Sequence, residues 1–74
     1  MSGGDPNLTD RELQVLASLI SGKTNREIGK ELHITESTVK SHLSFIFAKL
    51  RVSNRTEAAM VGMKMFPTLR AFAS

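Results

Sequence analysis

The sequence predicts an all-α fold, a small bundle of four helices. Apolar residues recur at helical spacing, a helix-start signal precedes each of the four segments, and no segment has the pattern of a strand. With 74 residues and no cysteine, the chain is sized for one small domain without disulfide bonds. We expect residues 1–7 to be a flexible linker or leader, residues 8–66 to form the domain, and residues 67–74 to be a C-terminal tail.

The first helix is predicted to begin after Thr9 and to stop at Gly22. Thr9 and Glu12 have the spacing of a capping box, in which each side chain accepts a hydrogen bond from the other residue's backbone. The apolar residues that follow at i, i+3, i+4 and i+7 are expected to face the core: Leu13, Leu16, Ala17 and Ile20.

The second helix is short and begins with another capping box, Thr24 with Glu27. Gly29 lies inside this helix, where glycine costs about 1 kcal/mol relative to alanine. The close approach of another helix backbone would explain a glycine here. The side chains expected to face the core are Ile28 and Leu32.

Two further helices are predicted after a short turn. Thr35 is expected to cap a helix over residues 36–51, whose apolar stripe consists of Val39, Leu43, Ile46, Phe47 and Leu50. Asn54 and Glu57 predict a capping box for a final helix, which runs to Met65 and is followed by Pro67.

The second and third helices, joined by a short turn with Ile34 in its angle, have the layout of a helix-turn-helix motif. At about 100° of rotation per residue, the face of the third helix opposite its apolar stripe is small and polar. It consists of Ser37, Ser41, Ser44 and Ala48, with Lys40 and Arg51 along one side and Thr38, Phe45 and Lys49 along the other.

This face suits the major groove of double-stranded DNA. A groove about 12 Å wide just admits a helix, so small outward side chains permit deep seating while the cations beside them meet phosphates. The alternative is a surface helix without a partner, which would more often show long charged side chains here. Charge distribution favours DNA, because residues 1–39 carry a net −2 and residues 40–74 a net +5.

The sequence resembles the LuxR-type (GerE-like) helix-turn-helix family, the DNA-binding output domain of many bacterial quorum-sensing receptors and response regulators. The resemblance rests on "LTDRE" (8–12), "GKTNREIGKELHITESTVKSHLSFIFAKLRV" (22–52) and "NRTEAA" (54–59), and it extends to about Met65. Two positions depart from the family pattern: Gly29 stands where alanine is usual, and Phe45 where asparagine is common.

The resemblance implies roles for individual side chains. Lys40, Ser41 and Ser44 match positions that read bases. We expect Ser37 to face bases as well, because it lies on the same outward face. Phosphate contacts are implied for Thr24, Asn25, Thr38 and Lys49, to which we add the flanking His42 and Arg51.

The last helix is apolar nearly all round, which predicts a second apolar surface beyond the one that faces the core. The resemblance implies that this helix makes a homodimer, with Met60, Met63 and Lys64 in the interface. A twofold dimer would bind a pseudo-palindromic DNA site. An upstream regulatory domain is expected, with RNA polymerase as a candidate further partner.

Other classes of function are less well supported. No paired carboxylates, nucleophile with a base, or phosphate loop predicts an enzyme, so we expect no catalytic residue and no cofactor. His33, expected to end the second helix, and His42 do not form a metal-ligand pattern. No segment is long enough to cross a membrane, and we expect a cytoplasmic bacterial protein. Two alternatives remain: a promoter-contacting module like that of a sigma factor, and a protein-interaction module that dimerises through the last helix.

Overall fold

The computed structural model describes residues 8–66, which form four helices. These are α1 (Asp10–Ile20), α2 (Asn25–Leu32), α3 (Glu36–Leu50) and α4 (Arg55–Met65). No strand occurs within residues 8–66, and the predicted all-α class is confirmed. The expected linker at residues 1–7 and tail at residues 67–74 lie outside the described residues, as does Pro67.

The predicted helix starts are present. Complete capping boxes open α1 at Thr9 and α2 at Thr24, and the Thr35 hydroxyl accepts a hydrogen bond from the N–H of Thr38 at the start of α3. At α4 the Asn54 side chain accepts from the N–H of Glu57, as expected. The second half of this box differs, because the Glu57 carboxylate accepts from the N–H of Ser53 at 2.8 Å rather than from that of Asn54.

Three helices end at a residue in the left-handed region, Gly22, His33 and Arg51, with φ of 89°, 60° and 58°. The next residue then donates to a carbonyl of the last turn: Lys23 to Ser18 at 3.2 Å, Ile34 to Gly29 at 2.9 Å and Val52 to Phe47 at 3.0 Å. This is the pattern of the Schellman motif. The predicted ends at Gly22 and His33 are confirmed, whereas Arg51 lies just beyond α3 rather than inside it.

The core is formed mainly by α1 and α3, with smaller contributions from α2 and α4. Its buried apolar members are Val15, Leu16, Ala17, Leu19, Ile28, Val39, Leu43, Ile46, Leu50 and Ala58. Sequence periodicity did not predict the burial of Val15 and Leu19, which are core residues. It predicted core positions for Leu13 and Ile20, which are only half-buried. The reason is that α1 packs against α2, α3 and α4 together, so it buries a wider arc than one stripe.

Gly29 marks the close approach of α2 and the turn before α3. A Cβ atom at Gly29 would lie 2.7 Å from the carbonyl oxygen of Ile34 and 3.5 Å from the carbonyl carbon of Thr35. The approaching backbone therefore belongs to the turn and the cap of α3, and not to the body of a helix as the sequence suggested. Glycine at this position lets the turn pack directly onto α2.

Candidate nucleic-acid interface

The α2–α3 pair has the arrangement of a helix-turn-helix motif. The turn contains His33 and Thr35 on either side of Ile34, which is half-buried and packs against the core. Val39, one turn into α3, is fully buried, so the start of α3 is held from the inside. The first turns of α3 thus have a fixed orientation relative to α2.

The outward face of α3 matches the face expected from the sequence. All four side chains predicted to face bases are exposed: Ser37, Lys40, Ser41 and Ser44. The opposite side of the helix is buried through Val39, Leu43, Ile46 and Leu50. Because three of the four exposed side chains are serines, this face has little bulk and offers hydroxyl groups that can both donate and accept.

Phe45 lies beside this face and is 60% exposed. No other described apolar side chain of α3 is comparably large and exposed, because Phe47 on the other side of the helix is half-buried. Among the residues one turn away, Ser41 and Ala48 are small and exposed. The Phe45 side chain therefore projects from α3 with more than half of its surface exposed.

The phosphate candidates on α3 lie on both sides of the outward face. Thr38 and Arg51 are exposed and His42 is half-buried. The Thr38 hydroxyl accepts a hydrogen bond from the Thr35 hydroxyl at 3.0 Å, which fixes it at the start of the helix. Arg51 is the C-cap residue of α3 and has a left-handed backbone conformation, so its side chain lies at the C-terminal end of the helix.

Lys49, the remaining phosphate candidate on α3, has a structural partner in α1. Its Nζ lies 2.7 Å from Oε1 of Glu12, whose side chain is only 6% exposed, while that of Lys49 is 33% exposed. Burial acts to raise the pKa of the Glu12 carboxyl. The hydrogen bond and positive charge of Lys49, together with the hydrogen bonds of Thr9, outweigh this effect and leave the pKa below its ordinary value of 4.5. Glu12 thus caps α1 and at the same time joins α1 to α3.

At the start of α2, Thr24 is exposed and Asn25 is half-buried. The Asn25 side-chain oxygen accepts a hydrogen bond from Nη1 of Arg55 at 2.6 Å, and Nη2 of Arg55 donates to the Lys23 carbonyl at 2.5 Å. With the amide oxygen occupied by Arg55, the amide nitrogen of Asn25 is the group that can donate to a phosphate. Arg55 therefore joins α4 to the start of α2, a role that sequence reasoning missed.

A second ion pair joins the loop before α2 to α2 itself, and a hydrogen bond from α1 reaches the same carboxylate. Lys23 donates to Oε2 of Glu31 at 2.6 Å, and the Ser18 hydroxyl donates to Oε1 at 2.7 Å. These hydrogen bonds, that of Lys23 foremost, hold the pKa of the Glu31 carboxyl below its ordinary value. The pKa of the Glu27 carboxyl is also below its ordinary value, because the carboxylate accepts capping hydrogen bonds from Thr24.

The predicted dimer residues form one exposed strip of α4. Met60 is 59% exposed, Met63 is 36% exposed, and Lys64, one turn after Met60, is also exposed. The opposite side is buried at Ala58 and Gly62. A fully buried last helix, the alternative to a second surface, is excluded by these exposures.

Two other kinds of site have no support among residues 8–66. No group of three or more metal-ligating side chains lies together in the part of the chain that the structure describes. None of α1 to α4 has the length and hydropathy to cross a membrane.

Comparison with known proteins identifies the family. Residues 6–62 match the model of the family described as bacterial regulatory proteins, luxR family, and the chain belongs to this family. The resemblance that the sequence motifs indicated is therefore confirmed. The matched range contains α1, α2, α3 and most of α4.

Individual relatives are named as transcriptional regulatory proteins or as response regulators. The chain is 56% identical over 54 residues to the transcriptional regulatory protein LiaR of Bacillus subtilis strain 168 and 50% identical over 58 residues to LnrK of the same strain. It is 45% identical over 53 residues to the response regulator protein VraR of Staphylococcus aureus strain NCTC 8325. These matches cover 73%, 78% and 72% of this chain but only 26%, 26% and 25% of the respective relatives. The chain thus spans about a quarter of the length of these relatives.

Proposed function

We propose that this domain binds double-stranded DNA sequence-specifically and is the output domain of a bacterial transcription regulator. One observation carries the proposal: the exposed face of α3 consists of small hydroxyl side chains with a cation beside them, while the opposite face of the helix is buried in the core. Such a face enters a major groove without steric conflict and offers groups that hydrogen-bond to base edges. Membership of the luxR family supports this assignment.

In this proposal α3 lies in the major groove and reads bases with four side chains: Ser37, Lys40, Ser41 and Ser44. Lys40 can reach the O6 and N7 atoms of guanine, which is a common specific contact. Six further side chains contact phosphates and fix the position of α3 on the duplex: Thr24, Asn25, Thr38, His42, Lys49 and Arg51.

The exposed strip of α4 supports a homodimer in the proposal. Met60 and Met63 place flexible apolar side chains on the surface, where a second copy of the domain would cover them, with Lys64 at the edge. Twofold symmetry would pair two α3 helices with two half-sites of a pseudo-palindromic sequence.

The complete regulator extends beyond this domain in the proposal. The relatives are about four times longer than the matched region, and one is named a response regulator, so we propose a regulatory domain elsewhere in the protein. RNA polymerase is proposed as the partner through which DNA binding affects transcription, in the bacterial cytoplasm. Neither proposed role requires an enzymatic activity of this domain.

Binding to DNA recovered from a random-sequence duplex library, followed across a salt series, tests the proposal. The logarithm of the binding constant should fall linearly with the logarithm of salt concentration, with a slope of about −0.9 for each phosphate contacted. Lys40→Ala should weaken binding to the selected sequence at least about fivefold, because a good base contact is worth about 1–3 kcal/mol. Lys30→Ala is the matched control, since Lys30 is an exposed lysine of α2 that is not assigned to DNA.

Two results would contradict the proposal. One is the absence of sequence enrichment at low salt, and the other is equal affinity of Lys40→Ala and the native chain.

The exposed Met60 favours one alternative function, a protein-interaction module that dimerises without binding DNA. Self-association of the chain without DNA affinity at low salt would support that alternative.

A further inference from the structure

We propose that Phe45 reads the C5-methyl group of a thymine in each half-site, an inference that rests on the proposed DNA binding by α3. Phe45 is the one large apolar side chain of the described part of α3 that remains mostly exposed, at 60%. An aromatic ring in water lacks the stabilisation that burial provides, so a partner that covers it gains affinity. The question is which partner surface the ring meets.

The position of Phe45 places the ring beside the residues proposed to read bases. It lies one helical turn after Ser41 and one residue after Ser44, and all three are exposed. A partner in contact with the two serines therefore comes within reach of the ring. Among its neighbours one turn away, Ser41 and Ala48 are small, and Lys49 extends its ammonium group to Glu12 of α1.

Major-groove chemistry then limits what the ring can recognise. The edges of the base pairs present hydrogen-bond donors and acceptors, and the C5-methyl group of thymine is the apolar group among them. An aromatic ring has no hydrogen bond to offer and loses favourable contact wherever it covers a polar edge. Thymine is therefore the base that Phe45 selects, whereas the serines and Lys40 read hydrogen-bonding groups.

Replacement of thymine by deoxyuridine tests this inference directly, because it removes the methyl group and leaves the hydrogen-bonding edge unchanged. The DNA is the sequence that the native chain selects from a random duplex library, with each thymine replaced in turn. At one thymine per half-site we expect the native chain to lose about fourfold in affinity, the value of one buried methyl group. The Phe45→Asn variant should bind the thymine and deoxyuridine duplexes with less than a twofold difference.

A matched control exists on α4. Met60 is as exposed as Phe45, at 59%, and Met60→Asn makes the same kind of apolar-to-amide change away from α3. This variant should keep the native loss on deoxyuridine substitution even where its overall affinity changes. Thermal unfolding of Phe45→Asn should match that of the native chain, since the ring has little contact with the core.

The outcomes separate this inference from the proposed function. DNA binding with equal deoxyuridine sensitivity in the native chain and Phe45→Asn would overturn the role of Phe45 and leave DNA binding intact. Loss of self-association in Phe45→Asn, with native DNA selectivity, would also overturn it and assign the ring to a protein contact. Failure of the native chain to enrich any DNA sequence would instead refute the proposed function.

Discussion

The ion pair between Lys49 and Glu12 leads to an asymmetric prediction. In Lys49→Met the aliphatic part of the side chain is retained and the ammonium group is lost, so the Glu12 carboxylate stays behind with its side chain only 6% exposed. Removing one partner of a fully buried ion pair costs about 3–5 kcal/mol. Because Lys49 is one-third exposed, water can replace part of the lost interaction, and we expect a cost of about 2 kcal/mol.

The reverse change should cost less. In Glu12→Gln the remaining amide oxygen can still accept the hydrogen bond that the N–H of Thr9 donates at 2.9 Å. Lys49 is then the group left without its carboxylate, and its exposure lets water solvate the ammonium group. We expect a loss of about 1 kcal/mol, and Lys49→Met should cost less in the Glu12→Gln background than in the native chain.

Thermal unfolding followed by circular dichroism measures these differences. For a domain of this size 1 kcal/mol corresponds to about 4–8 °C, so Lys49→Met should unfold about 8–16 °C below the native chain. The pKa of Glu12 should also rise in Lys49→Met, because burial then acts without the compensating ammonium charge. Additive losses in the double variant, or a smaller loss for Lys49→Met than for Glu12→Gln, would refute the reasoning.

Three further predictions concern the backbone and acid stability. Gly29→Ala should lower stability by about 1 kcal/mol in denaturant titrations, because the contact with the Ile34 carbonyl at 2.7 Å outweighs the gain in helix propensity; a stability increase would contradict this. His33→Gly should raise stability by about 1 kcal/mol by relieving the left-handed conformation, whereas His33→Ala, which keeps Cβ, should not. Glu12, Glu27 and Glu31 have pKa values below 4.5, so their stabilisation is complete above that pH and is lost as pH falls through the folded-state values. Melting temperatures should therefore be level near neutral pH and fall below about pH 4.5, less steeply in Glu12→Gln.

The parts of the fold that sequence reasoning predicted well depend on residues close together in the chain. Thr9, Thr24 and Thr35 each accept a hydrogen bond from a residue three positions later, so local spacing was enough to locate three helix starts. The exposed face of α3 was predictable for a similar reason, because rotation per residue is fixed within a helix.

The parts that were missed depend on how distant helices cross. Lys49 and Glu12 are 37 residues apart, and Arg55 and Asn25 are 30 residues apart, so no local pattern relates them. Val15 was missed because its burial depends on several neighbours packing around α1 at once. In each case the deciding contact belongs to the tertiary arrangement rather than to the segment.

The separation of α3 into a buried side and an exposed side has a consequence for redesign. Its stability is carried by four buried apolar residues and by Lys49, while Ser37, Lys40, Ser41 and Ser44 have no part in the core. The outward set can therefore be exchanged for that of another family member without rebuilding the interior. Lys49 is the exception on the exposed side, and an exchange that replaces it would need a matching change at Glu12.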